Sequence, residues 1–252
     1  MASLECIARA APGSPGVPGA RGVRWPAALL LAWLIVPAAA AQVGPAPGRV
    51  EGTATISRRL TRSRVRVYSE PGSLPASPAA HEDPFSEVVL YLESSTPLHG
   101  PAQSGPPPVM RQHGERFEPH VLPVLVGTTV DFPNDDDVYH NVFSLSRVRT
   151  FDLGRYPRGS SKSIQFLMPG VVQLFCHIHA DMSGYILVLD NPFFVVPDST
   201  GHFALEGVPP GVYRLVAWHE RIRPIGTAIS VESGRTTTVR LDIPLPEPVS
   251  QR

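Results

Sequence analysis

The segment from Phe175 to Met182, FCHIHADM, sets a thiol, an imidazole and a thioether at the spacing C-x-x-H-x-x-M. These donors suit a copper ion cycling between its two common oxidation states, which takes a soft thiolate, borderline imidazoles and a weak axial thioether. Cys176, His179 and Met182 would supply three of four ligands. The second imidazole is assigned to His140, in NDDDVYHNVF, where a strand would leave a polar turn. Zinc competes, because a thiolate with two or three imidazoles serves it as well. Met182 favours copper, since a thioether is a poor zinc ligand and an apt axial copper ligand.

The neighbours of these residues read more plainly. His177 forms His-x-His with His179, but strand alternation points it away from the Cys176 side and leaves it a polar exposed residue. Asn141 is placed to hydrogen-bond across the site and hold the cysteine loop. Asn134, Asp135, Asp136 and Asp137 read as a solvated turn rather than a hard-cation site. His81, His99, His113, His120, His202 and His219 have no partner spacing and are expected to be surface or structural residues.

The elements that must position the site follow from composition and pattern. The chain has 252 residues, 42% hydrophobic and 17% charged, with 29 prolines and 21 glycines, which suits β-rich modules with many turns. Two small domains or one large sandwich fit this length. Short β-prone runs separated by turn signals fill the chain from Phe117 onward: Val121 to Val126, Thr128 to Phe132, Asn141 to Leu145, Ile164 to Leu167, Val171 to Phe175 and Tyr185 to Leu189. Cys176 thus ends one strand, with His179 and Met182 in the loop to the next. Val50, Thr53 and Ile56 suggest a further short strand, VVLYL at Val88 to Leu92 another, and 69–84 and 94–108 read as loops. Asp198 to His219 opens a second module, with strands at Phe203 and Leu205 and at Tyr213 to Trp218, and Val239, Leu241 and Ile243 alternate in a final strand.

Pro26 to Gln42 is an apolar stretch preceded by arginines and closed by alanines, the pattern of a secretory signal cleaved near Ala40 or Ala41. An uncleaved N-terminal anchor is the competing reading, but the apolar core falls short of the ~20 residues that span a bilayer, so no stable span is expected after cleavage. Residues 1–22 are long for a leader's first region, which puts the expected start of translation nearer Val23. Cys6 lies in the leader, so the exported chain carries one thiol, and a lone cysteine in an oxidising compartment is exposed to oxidation unless buried or ligated. Removing the first 41 residues, which hold Arg9, Arg21 and Arg24 against Glu5 alone, leaves 19 basic and 21 acidic residues. A slightly negative chain argues against a nucleic-acid partner. The arginines Arg58, Arg59, Arg62, Arg64 and Arg66 read as solvated strand positions.

Residues 109–190, with FEPHVLPVLVGTTVDFPN, then HNVFS, then PGVVQLFCHIHADMSGYILV, resemble a cupredoxin, and the two-residue gaps of the loop are similar to amicyanin. The combined architecture resembles plastocyanin-like proteins of the methylamine-utilisation type. The resemblance implies a Greek-key β-sandwich holding one type 1 copper ion, with His140, Cys176 and His179 equatorial, Met182 axial, and His179 the port for electrons. The C-terminal D-x-x-G-x-F-x-L and VPPG-x-Y-x-L stretches resemble the carboxypeptidase regulatory-like, transthyretin-like sandwich, a module without catalytic residues. The fold expected is therefore all-β: a cupredoxin sandwich plus a second small β-sandwich. The segments are a signal peptide (1–41), a linker with strands (42–108), the copper domain (109–190) and the second module (191–252). Residues 49–92 and 191–245 are expected to form one sandwich into which the copper domain is inserted.

Four function classes follow. The first is a periplasmic or secreted one-electron carrier whose partner is a redox protein such as a c-type cytochrome or a dehydrogenase. The second is copper binding for delivery, sensing or storage. An enzyme of the multicopper oxidase or nitrite reductase kind would need more copper centres and further His-x-His pairs, and the chain offers only His177 and His179. A metal-free adhesive or scaffold protein is the fourth.

Overall fold

The computed structural model describes residues 45–59, 83–100 and 105–246. The expected leader with Cys6, the positions Arg62, Arg64 and Arg66, His81 and most of the 69–84 loop lie outside the described residues. The described chain is all-β. Its strands are β1 (Gly48–Arg59), β2 (Val89–Glu93), β3 (Arg111–His113), β4 (Arg116–Glu118), β5 (Val121–Leu125), β6 (Thr129–Pro133), β7 (His140–Ser146) and β8 (Arg149–Tyr156). They continue with β9 (Ser161–Gln165), β10 (Gly170–Phe175), β11 (Ser183–Leu189), β12 (Phe194–Val195), β13 (His202–Val208), β14 (Gly211–Trp218), β15 (Ile225–Val231) and β16 (Thr236–Pro246). Among the described residues no helix is long and apolar enough to cross a membrane.

One sheet runs β13-β1-β16 and a second runs β12-β2-β14-β15. Strands from both ends of the described chain thus share both sheets. Between the sheets lies one core that includes Val50, Leu90, Phe203, Leu215 and Ile243. Its sequence cause is clearest in β16, where Val239, Leu241, Ile243 and Leu245 are buried while Arg240 and Asp242 face out, the two-residue period of a half-buried strand. β1 sits between β13 and β16, antiparallel to one and parallel to the other. Gly52 makes that close approach feasible: a Cβ there would lie 1.9 Å from the Val239 carbonyl oxygen and 3.0 Å from the Phe203 ring.

Residues from β3 to β11 form the remaining sheets. The largest runs β5-β11-β10-β7-β8, with β6 paired to β9 and β3 to β4. Phe117, Phe132, Phe166, Val172, Leu174 and Ile186 fill a second core, which also contains Cys176 and Met182. A third apolar cluster, Val89, Val121, Leu187, Leu189 and Trp218, joins the two sets of sheets. Tyr185 meets Trp218 edge-on there, with ring centroids 5.6 Å apart, and His120 Nε2 lies 3.3 Å from a Glu220 oxygen. His219, expected at the surface or in a structural role, is buried, with Nε2 3.3 Å from a Glu87 oxygen.

Five strands escape the sequence pattern. β3 and β4 have three residues each and β12 two, too few for a period to register. β8 (RTFDLGRY) and β15 (IGTAISV) carry charged, glycine and small polar residues, and β8 keeps only Tyr156 fully buried.

Candidate metal centre

β10 and β11 pair antiparallel from Gly170↔Val188 to Phe175↔Ser183, so residues 176–182 form the loop that joins them. The Cys176 amide donates to the Met182 carbonyl at 3.3 Å, and the Met182 amide donates to the His179 carbonyl at 3.1 Å. These two bonds close the loop's mouth and fold His179 back over it. Cys176 is 5% exposed and Met182 1%, both in the same apolar cluster.

His140 opens β7, beside β10, whose Phe175 faces Phe143. Its ring is fully buried. Nδ1 lies 3.8 Å from Cys176 Sγ and 3.1 Å from His179 Nδ1, and His179 Nδ1 is also 3.8 Å from Sγ. The point equidistant from the three donors is about 2.1 Å from each, within the span of ordinary metal–nitrogen and metal–sulfur bonds. His140, Cys176 and His179 are the group among the described residues whose donor atoms converge as metal ligands do. A thiolate and two imidazoles, with the buried Met182 in the same apolar cluster as Cys176, fit copper better than any hard cation.

The acidic turn departs from the solvated turn expected of it. Asn134 is fully buried; its Nδ2 donates to the carbonyls of Val138 at 2.8 Å and Tyr156 at 3.0 Å, and its Oδ1 accepts the Asp136 amide at 3.0 Å. Asp136 is thereby aimed inward, where it accepts the Gly114 amide at 2.7 Å and the Glu115 amide at 2.9 Å, and one of its oxygens lies 2.8 Å from His140 Nε2. Burial pushes its carboxyl up, but the two amides and the His140 ring outweigh that and hold it below the usual carboxylate range. Charge-assisted hydrogen bonds of this kind contribute about 1.5–3 kcal/mol each. Asp135 and Asp137 do face outward, paired with Arg111 and Arg158.

Gly114 and Glu115 form the tip between β3 and β4, both with φ of 58°, the geometry that a tight two-residue hairpin turn demands. Glu115 is the one non-glycine in that region among the described residues. Its carboxylate stands 3.9 Å from His179 Nε2. In the sequence Asp136 differs from Asp135 and Asp137 only in standing four residues before His140, and nothing in the spacing ties it to the turn at 113–116.

Asn141, buried beside His140, accepts the His177 amide at 2.7 Å and so ties β7 to the cysteine loop. The His177 ring points away, stacked on Phe143 with centroids 3.9 Å apart and 3.6 Å from an Asp152 oxygen. His99, His113 and His202 contribute no donor to the cluster.

No family model matches the chain, and no curated protein matches it. Among solved structures, the chain is similar to a purple cupredoxin from Nitrosopumilus maritimus at 26% identity, over 32% of this chain and 99% of that one, with a TM-score of 0.31. It is also similar to amicyanin variants. A reduced one has 23% identity over 40% of this chain and 98% of that one, TM-score 0.32, and a Cu(I) one has 24% identity over 32% and 80%, TM-score 0.31.

Proposed function

We propose that the chain is a type 1 copper protein that carries single electrons between redox partners outside the cytoplasm. The observation that carries this reading is the triangle of His140 Nδ1, Cys176 Sγ and His179 Nδ1, with sides of 3.1, 3.8 and 3.8 Å, whose Cys176 corner belongs to the buried core that also holds Met182. Bound there, copper supplies a reversible one-electron change. The protein's part is to keep the donors in place through that change. Cys176 is fixed at a strand end, His140 by the wall of β7, and both by the Asn141 bond to the His177 amide. His140 is sealed from water, whereas His179 is only partly covered, at 21% of its side-chain area. His179 is thus the ligand through which an electron enters or leaves.

The same reading assigns Met182 as axial ligand, 109–190 as the copper domain, 1–41 as a cleaved leader, and the segments either side of the copper domain as one regulatory-like sandwich. It makes the protein periplasmic or secreted, takes a c-type cytochrome or dehydrogenase as its partner, and includes no enzymatic reaction. Copper delivery or storage is the second reading. Cyclic voltammetry of the copper-loaded protein separates the two. An electron carrier gives a reversible one-electron wave and retains its copper through repeated cycles against a Cu(I) chelator. Release of copper on reduction would refute the carrier and favour delivery.

A further inference from the structure

We propose that Asp136, braced by the β3–β4 hairpin tip, is the positioning residue that sets which ring nitrogen of His140 faces the metal. The inference rests on the copper reading above and extends it to residues outside the ligand set. An ionised carboxylate only accepts hydrogen bonds. At 2.8 Å from Asp136, His140 Nε2 must therefore carry the proton, which leaves the Nδ1 lone pair directed at Cys176 Sγ and His179 Nδ1. The ring is fully buried, so water is not at hand to hold the other tautomer.

The carboxylate is itself immobilised. One oxygen accepts the Gly114 amide, the other accepts the Glu115 amide together with His140, and the buried Asn134 side chain holds the Asp136 backbone. A left-handed non-glycine residue is strained and persists only where its surroundings over-determine it. At Glu115 the surroundings that do so include Asp136. The hairpin tip, too short to read as structure in the sequence, is thus connected to the metal centre through one carboxylate. A carboxylate bonded to the far nitrogen of a ligating imidazole fixes its orientation and strengthens it as a donor, and removing such a group typically costs about 10–100-fold in metal affinity.

The test begins on the metal-free wild-type protein, labelled with nitrogen-15 histidine. Long-range proton–nitrogen correlation is expected to show His140 protonated at Nε2. A His140 protonated at Nδ1 would overturn the proposal without any variant. Asp136→Asn offers an N–H to Nε2 in place of an acceptor; it is expected to shift His140 toward the Nδ1–H tautomer and weaken Cu(II) binding by about 10–100-fold. The reduction potential should rise as the stronger donor is lost, with Asp136→Glu moving tautomer, affinity and potential back toward wild type. If the wild type binds copper with a type 1 spectrum while Asp136→Asn matches it in all three readouts, Asp136 has no positioning role and the copper reading survives. If the wild type itself forms no type 1 centre, the proposed function fails, and the positioning role with it.

Discussion

Replacing Asn141 by alanine should loosen the joint between the two ligand-bearing segments at a calculable cost. Asn141 lies at an irregularity in the β7–β8 pairing, where the register shifts before Phe143, and irregularities of this kind re-aim a side chain. Its Oδ1 takes the His177 amide at 2.7 Å just where β10 ends, standing in for a ladder bond that the backbone no longer makes. Its Nδ2 reaches Asp152 at 3.3 Å, a weaker and more exposed contact. Alanine leaves a partly buried amide without its acceptor, which costs about 1–2 kcal/mol. For a cooperative unit of this size, that lowers the melting temperature by about 2–8 °C. Asp152→Ala removes this outer contact together with the exposed Gly154 amide bond and the exposed His177 ring contact, but keeps the bond from the His177 amide to Asn141; because solvent screens what it removes, it should cost less, about 0.5–1 kcal/mol. Thermal unfolding of the metal-free proteins by circular dichroism checks both. An Asn141→Ala melt within 1 °C of wild type, or a smaller loss than Asp152→Ala, would refute the tie.

The contact of His120 with Glu220 predicts a bell in pH. Burial pulls His120 down, but the Glu220 hydrogen bond and charge outweigh it and hold His120 above its ordinary value. Glu220 is held below its ordinary value, chiefly by the bond from His120. The raised histidine contributes fully below its unfolded value of about 6.5, and the depressed carboxylate fully above its unfolded value of about 4.3. The stability gap between wild type and Glu220→Gln should therefore be widest near pH 5.5, shrinking as pH rises through the His120 value or falls through the Glu220 value; a gap constant from pH 3 to 8 would contradict the pairing. Gly52→Ala places a Cβ 1.9 Å from the Val239 carbonyl oxygen and should destabilise the β13-β1-β16 sheet by at least about 1–3 kcal/mol in denaturant melts. Because β1 belongs to the first core and Cys176 to the second, the spectrum of the folded variant loaded with Cu(II) should match that of wild type.

The sequence carries the strands with clean alternation and the four chemically distinctive side chains at Cys176, His179, Met182 and His140, because both signals are local. The Val239, Leu241, Ile243 run announces its buried face by alternation, and VVLYL, covered on both faces, by its unbroken apolar run. Asn141 was legible as the residue that holds the cysteine loop, since it adjoins a ligand and its amide can do little else when buried. Asp136 was not: in NDDDVY it looks like its exposed neighbours Asp135 and Asp137, and only the Asn134 bonds and the hairpin tip turn it inward. The hairpin-tip contacts join residues more than twenty positions apart, which spacing does not express. The same holds for His120 with Glu220 and His219 with Glu87, pairs made when distant segments meet.

The most direct test of the central claim is the visible and electron paramagnetic resonance spectrum of the protein loaded with Cu(II), recorded beside Cys176→Ser. A type 1 centre at His140, Cys176 and His179 gives an intense thiolate-to-copper absorption with narrow copper hyperfine splitting, both lost in the variant. A colourless protein, or a spectrum that survives the loss of Cys176, would contradict it.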